Sequence, residues 1–451
     1  MLKKQKQIGY LYTSSVLENL TLTGAWVAIL SSRGFSLVEI SIAETVFHLV
    51  SLLLELPSGI LADVFGRKRM LIVSAMLRMT ANVAMFLSGG LSTVCISMGL
   101  TAASYNFASG TGDALAYDSL KCVGQEGRFD RYESNQLTIY RLCGGLSTLC
   151  AGLALTLGYK IAYASSLVTG LMQILALSGL QEVQLQKFQE DSTLAQRLLL
   201  CAKESLGFLK TGARALLLML ANSLVGAMDT LLLFFLQAKL PERGIPQWAL
   251  GLALLVMALG GVVGSRLILV ASRWRFRRVL AAAAAAVLLG ILLEHAPMYP
   301  LMVLGGFLSA AADDALQVRT NTLLQGMFPS RQRATLTSVD SFTFSVVMVV
   351  LTPLAGILFT QADRHPRPRV PQISKGESIM EKIVPYLIIG AVALVILIIL
   401  IKNICIVQQS RAYVIERLGA FSQVWEVGIH FKLPFVERIA RRVSLKEQVL
   451  D

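Results

Sequence analysis

Ser58-Gly-Ile-Leu-Ala-Asp-Val-Phe-Gly-Arg-Lys-Arg69 closes one apolar segment, Leu37–Ala62, and opens onto the next, Met70–Leu87. Each segment approaches or exceeds the roughly 20 residues that cross the hydrocarbon core of a bilayer. The stretch therefore reads as a tight loop between two membrane helices. Gly59 lets a neighbouring helix come close, and Asp63 can offer its charge to the positive N-terminal end of another helix. Gly66 permits a sharp reversal. Arg67, Lys68 and Arg69 hold the loop on the cytoplasmic side.

Composition agrees with a polytopic membrane protein. Of 451 residues 55% are hydrophobic and 15% charged, against about 25% charged in an ordinary soluble domain. Mean hydropathy is +0.63. A net charge of +13 raises nucleic acid as a partner. The cations, however, cluster in short loops beside apolar spans, the positive-inside pattern, so nucleic acid is set aside. The six cysteines lack paired metal spacing, and neither a disulfide framework nor a zinc site is implied. The basic start is followed by an apolar stretch too long for a signal peptide and is read as an uncleaved first helix.

Spans are expected near Ile8–Leu30, Leu37–Ala62, Met70–Leu87, Leu91–Leu120, Leu137–Leu157 and Ile161–Leu180. A polar central stretch, 181–210, follows. Spans resume near Ala213–Gln237, Trp248–Val270, Val279–Leu293, Leu301–Leu324 and Thr335–Thr360. Arg67–Arg69, Lys121 with Arg128 and Arg131, Arg273 to Arg278, and Arg331 with Arg333 all fall on one side. The opposite loops hold only Arg33, Lys160, and Lys239 with Arg243. The N-terminus is thus expected in the cytoplasm.

With these residues in place, the Gly, Ala-Asp and Gly-Arg-Lys-Arg loop between the second and third spans resembles the signature loop of the major facilitator superfamily. Leu54-Glu-Leu-Pro-Ser-Gly59, Ser109-Gly-Thr-Gly-Asp-Ala-Leu-Ala-Tyr-Asp-Ser-Leu120 and Pro329-Ser-Arg-Gln-Arg-Ala-Thr335 are similar to segments of a bacterial branch of that superfamily. The resemblance covers residues 1 to about 360. It implies two helical bundles related by internal repeats, rocking about a central solute site. It further implies a cytoplasmic gate of Gly59, Asp63, Gly66, Arg67, Lys68, Arg69 and Asp118. The symmetry-related loop from Gly264 keeps Gly and cations but lacks Ala-Asp. The fifth span lacks the Gly-Pro pair usual in drug–proton antiporters, which weakens a multidrug reading.

A charge at mid-membrane costs about 2.5–3.5 kcal/mol on insertion scales, so it usually faces the protein interior and has a task. Glu18, Glu44, Asp113 and Asp229, with Asp313 or Asp314, are the candidates for solute or proton contact. The alternative for each is a structural pair with Arg78 or Arg141. Glu18 and Asp113 rank first, because the first and fourth helices line the cavity in the family. His48 reads as a packed or hydrogen-bonded residue. No phosphate loop, nucleophile elbow or metal-ligand cluster is present, so no enzyme activity, metal or cofactor is expected.

After Thr360 the facilitator pattern stops. Residues 362–382 read as a Pro-rich, basic linker, and Ile383–Ile401 as an apolar anchor. Asn403 to Gly419, then Gly428-Ile-His-Phe-Lys-Leu-Pro-Phe435 and Val443 to Val449, resemble the opening of the stomatin/prohibitin/flotillin (SPFH, band 7) family. Tyr413–Glu416, Gly428–Pro434 and Arg441–Leu450 are read as three strands. Met380-Glu-Lys directly before the anchor has the form of a separate start, as if two neighbouring genes were read as one.

The expected fold is thus all-α and polytopic. It is a two-bundle facilitator with about eleven native helices, one added anchor and a small C-terminal β-rich fragment. The domains are 1–361 (bundles 1–180 and 211–361, central loop 181–210), linker 362–382, anchor 383–401, and truncated band 7 part 402–451. The expected function is secondary transport of a small solute by alternating access, with proton coupling open. The alternative is a band 7 scaffold carrying an incomplete carrier. The bilayer is the expected partner and the plasma (inner) membrane the expected location, with both termini cytoplasmic. Oligomerisation through the band 7 part is not expected, because its long helical region is lacking.

Overall fold

A computed structural model describes residues 2–125, 128–183, 213–271, 274–296, 298–327 and 333–363, and strand segments 404–407, 411–417, 420–425, 428–431 and 437–444. The expected anchor 383–401, nearly all of the linker 362–382 and residues 184–210 of the central loop lie outside the described residues.

The first bundle holds α1 (Leu2–Asn19), α2 (Trp26–Ser32), α3 (Leu37–Phe65), α4 (Arg67–Phe86), α5 (Leu91–Ala108), α6 (Thr111–Lys121), α7 (Phe129–Leu149), α8 (Ala151–Leu157) and α9 (Tyr159–Ser178). The second holds α10 (Ala213–Glu242), α11 (Gln247–Val270), α12 (Phe276–Leu293), α13 (Tyr299–Met327) and α14 (Arg333–Asp363). Taking α1–α2, α5–α6 and α7–α8 each as one interrupted pass, these helices cross eleven times, as the sequence implied. Among the described residues eight helices are individually long and apolar enough to span a membrane, and the α7–α8 pair, bent by 45°, adds a ninth. Eleven is therefore legible only when the breaks are counted inside spans.

The breaks correct three expected spans. Ile8–Leu30 is interrupted at Leu20–Ala25, where Ser147 Oγ donates to Thr21 O at 2.5 Å. Leu91–Leu120 breaks at Ser109-Gly110, and Leu137–Leu157 bends at Cys150. In contrast α3 runs unbroken. A capping box starts it, with Ser36 N donating to Glu39 Oε2 at 2.9 Å and Glu39 N to Ser36 Oγ at 3.3 Å. Such a box satisfies two helix-end donors at once.

The chain's basic loops, Arg67–Arg69 and Arg275–Arg278, mark one end of the molecule, the basic end. The α2–α3, α8–α9 and α10–α11 turns mark the far end. Apolar burial differs between the ends. At the far end one core joins the bundles: Ala25, Ala28 and Ala151 pack with Leu236, Leu240 and Leu250. Ala238 of α10 packs in turn with Val27, Ile29 and Ala154 of the first bundle. At the basic end the cores are separate. Leu11, Leu71, Leu115, Tyr132 and Leu177 form one within the first bundle, and Met219, Leu324 and Val339 another within the second.

Lys239, expected in a far-side loop, is instead buried in the last turns of α10. Its Nζ lies 3.8 Å from Glu294 Oε1 and 4.3 Å above the Phe235 ring, so a carboxylate and a ring face offset its desolvation.

The C-terminal fragment has five strands where three were expected. β1 (Ile404–Val407) pairs antiparallel with β4 (Gly428–Phe431); β2 (Arg411–Arg417) lies between β3 (Ala420–Trp425) and β5 (Glu437–Ser444). Tyr413 faces Trp425 on one side and Arg442 on the other. The third expected strand, Arg441–Leu450, is thus β5 shifted toward the N-terminus, because Glu437–Ile439 complete the register with Arg417–Ile415. Val407, Tyr413, Ile415 and Trp425 supply a small core.

Within the second bundle α11 and α13 are in backbone contact. A Cβ on Gly264 would overlap the Ala311 carbonyl, and one on Gly260 the Phe307 carbonyl. Overpacking a close-packed site typically costs about 1–3 kcal/mol. Gly264→Leu should therefore lower the thermal unfolding midpoint of the protein in detergent. An unchanged midpoint would mean that this contact is not made.

Candidate functional site

At the basic end the quoted loop is held by two carboxylates. Arg67 Nη1 donates to Asp118 Oδ2 at 2.5 Å and to Ala114 O at 2.8 Å, tying α4 to α6. The backbone N–H groups of Arg67 and Lys68 donate to Glu182 Oε1 and Oε2, each at 2.9 Å, and Lys68 Nζ donates to Ser178 O at 2.8 Å. The first N–H groups of a helix have no partner within it and attract negative charge. Glu182, just past α9, meets that need for α4. Gly66 has φ +95°, and a Cβ there would come within 2.7 Å of Glu182 Oε2. Glycine is thus required twice, for the backbone angle and for the carboxylate.

Two residues of the expected gate stand differently. No described residue comes within 4 Å of a Cβ built on Gly59, so the close helix approach expected there is not made. At Gly66 it is the Glu182 carboxylate that comes close. The side chain of Asp63 lies outside the described residues. Arg69 is exposed at the start of α4.

The membrane carboxylates fall into four settings. Glu18 is paired with Arg78 of α4; Gln173 Nε2 of α9 donates to Glu18 Oε2 at 3.2 Å and to Ser14 Oγ at 3.0 Å. This is the structural pairing weighed as its alternative, and it ties α1, α4 and α9 together. Asp113 is exposed in the first turn of α6, at the helix end that attracts negative charge. Glu44 is buried in α3 and faces the other bundle through His48. Asp229 of α10 lies beside Asp314 and Ser309 of α13. Here glycines make room: Asp314 Oδ2 occupies the place of a Cβ on Gly261, and Asp313 Oδ1 lies 3.0 Å from that of Gly226.

The far end carries the contacts between bundles. Cβ atoms on Gly152 and Gly251 would overlap the Gln247 and Leu149 carbonyls, so α7–α8 and α11 touch backbone to backbone. A Cβ on Gly356 of α14 would overlap Ser41 Oγ of α3. Trp26 meets Phe234 edge to face at 5.3 Å. At the basic end a cavity of about 440 Å³ opens between α1, α6 and α7, lined by Tyr12, Gln125, Arg128, Arg131, Tyr132 and Asn135 among others.

Sequence reasoning missed Glu182, Gln173, Gly152, Gly251 and Ser345. For Glu182 the one available signal was a carboxylate immediately after the sixth span at the basic end. For the glycines there was none, because a Gly in a membrane helix does not name its neighbour.

Solved structures share this architecture. The chain superposes on the nucleoside transporter NupG with TM-score 0.64 at 13% identity, over 89% of this chain and 99% of that one. A bacterial homolog of the human lysosomal transporter Spinster, in an inward-facing and unoccupied conformation, gives 0.60 at 16% identity, over 88% and 96%. A D-xylose–proton symporter gives 0.63 at 12% identity, also over 88% and 96%. At such identities the likeness establishes the fold alone: two bundles of membrane helices arranged as in these transporters. No family model matches the chain, and no curated protein matches it.

Gly66→Ala forces a side chain into a backbone region nearly reserved for glycine, at a cost of about 1–3 kcal/mol, and also drives its Cβ into Glu182. In the double variant Gly66→Ala, Glu182→Ala that collision is gone. Thermal unfolding in detergent should therefore show a smaller loss than the two single losses added together. Strict additivity would contradict the contact.

Proposed function

We propose that this chain is a secondary carrier that moves a small solute across a membrane by alternating access. The observation that carries the reading is the unequal apolar burial: one core shared by the bundles at the far end, separate cores at the basic end. Two rigid bundles joined at one end and parted at the other can rock about their midplane, which is how repeat-built carriers work. The basic end is cytoplasmic in this reading, by the positive-inside tendency, so the structure corresponds to an inward-facing state of a multi-pass plasma membrane protein. The carrier does no chemistry on its solute.

The gate assigned to Gly66, Arg67, Lys68 and Asp118, with Asp63 and Arg69, acts at that end, and Glu182 joins it. Proton coupling is the finer form of the proposal. Glu44 and Asp229 suit it better than Glu18, whose charge Arg78 already balances; Asp113 stays a candidate for solute contact. The named neighbours include a nucleoside transporter and a D-xylose–proton symporter, so a small polar solute is the class proposed. The division into a carrier (1–361), linker (362–382), anchor (383–401) and truncated band 7 part (402–451), with the C-terminus cytoplasmic, belongs to the same proposal. The paired strands support a folded unit in the last part.

The test needs no solute. Spin labels on Ser32→Cys and Arg243→Cys report the far end, and labels on Arg128→Cys and Arg275→Cys the basic end, in a background free of native cysteines. Gly251→Trp wedges α11 away from Leu149. Rocking requires the far-end distance to lengthen and the basic-end distance to shorten together. A far-end change with the basic end unmoved would contradict alternating access.

A further inference from the structure

Between α3 and α14 the two bundles face each other with polar stripes. Ser41, Glu44 and His48 recur at helical spacing on α3, and Ser345, Thr352 and Gly356 answer them on α14. His48 Nε2 lies 3.2 Å from Glu44 Oε1, and His48 Nδ1 lies 3.4 Å from Ser345 Oγ of the opposite bundle. Glu44, His48, Ser345 and Thr352 are all buried. Phe47 and Phe344 pack edge-on against the imidazole at 5.3 and 5.6 Å, which fixes its plane.

The chemistry orders the protons along this line. An ionised Glu44 only accepts, so His48 Nε2 carries hydrogen toward it. Where the ring carries that hydrogen alone, Nδ1 accepts from the Ser345 hydroxyl, and where both nitrogens carry one, Nδ1 donates to the Ser345 oxygen; either way the contact crosses between the bundles. One polar group breaks the pattern. Thr352 Oγ1 is buried, its residue 1% exposed, with no hydrogen-bond partner among the described residues. It lines a cavity of about 20 Å³ together with Ser41 and Glu44, the remaining walls being apolar side chains of α2, α3, α10 and α14. A single water needs roughly 10–15 Å³ and two to four polar partners. The glutamate and the two hydroxyls supply three.

We propose that Glu44, His48, Ser345 and Thr352 form a latch holding the two bundles together between the far end and the middle of α3 and α14, with one water in the cavity joining the Glu44 carboxylate to the Thr352 hydroxyl. The latch crosses from bundle to bundle twice, directly through His48 and Ser345 and through water at Thr352. It breaks whenever α3 and α14 part at the far end. It rests on the rocking-bundle reading above.

The test uses the full chain in nanodiscs with the Ser32→Cys and Arg243→Cys label pair. Thr352→Val keeps the side-chain shape and removes the hydroxyl. If the hydroxyl is bonded through water, the ratio of far-end-open to closed molecules rises about threefold, the factor that matches the ~0.6 kcal/mol average of an interhelical hydrogen bond in a bilayer. His48→Phe, which strands Glu44, should raise it further, and Thr352→Ser should leave the wild-type distribution. If the hydroxyl is unbonded, exchanging it for a methyl is neutral or favours the closed form. An unchanged or lowered ratio in Thr352→Val, while Gly251→Trp still opens the far end, overturns the latch and leaves rocking intact. Failure of Gly251→Trp to open the far end overturns the carrier reading, and the latch with it.

Discussion

Backbone against backbone, at Gly152 with Gln247 and at Leu149 with Gly251, is the contact on which the rest of the arrangement hangs. No side chain stands between α7–α8 and α11 there, so van der Waals attraction acts at the shortest distance two helices allow. In a bilayer such packing matters more than in water, because lipid tails are as apolar as Leu and apolar burial alone does not draw helices together. Ser41 against Gly356 makes a comparable close approach on the other side of the interface. Bundles so joined at one end are free to diverge at the other, and their cores are separate there.

The second constraint is the cost of charge in hydrocarbon. The first bundle meets it by neutralisation: Glu18 takes Arg78, and Arg67 takes Asp118. In the second bundle Lys239 meets Glu294, and Gly226 and Gly261 leave the room that Asp313 and Asp314 occupy. Glu44 and His48 lie at the boundary between the two, where His48 also meets Ser345 of the opposite bundle.

Much of this was legible in the sequence, for physical reasons. Span count follows from hydropathy, and the gathering of the basic loops at one end from the placement of Lys and Arg, both local properties. Gly66 and Arg67–Arg69 were readable because a tight reversal with cations leaves few alternatives. At Gly59 a small residue permits an approach without compelling one, and no described residue makes it. Lys239 was placed in a loop because its charge was visible, whereas Glu294, which lets it be buried, is 55 residues distant. At the break Leu20–Ala25 the chain is met by a tertiary hydrogen bond from Ser147 to Thr21, a partner 126 residues away that no local signal marks. In the β fragment, β1 and β3 are four and six residues long and become strands only through their partners.

The most direct measurement is labelling by a membrane-impermeant maleimide of two single-cysteine variants in a cysteine-free background. Ala28→Cys sits in the shared far-end core, where the native residue is 2% exposed. Asn135→Cys lines the cavity at the basic end. For a carrier resting closed at the far end, Ala28→Cys is protected in sealed vesicles of either orientation, and Asn135→Cys reacts only when the basic end faces the reagent. Rapid labelling of Ala28→Cys from the far side, with Asn135→Cys protected in both orientations, would contradict it.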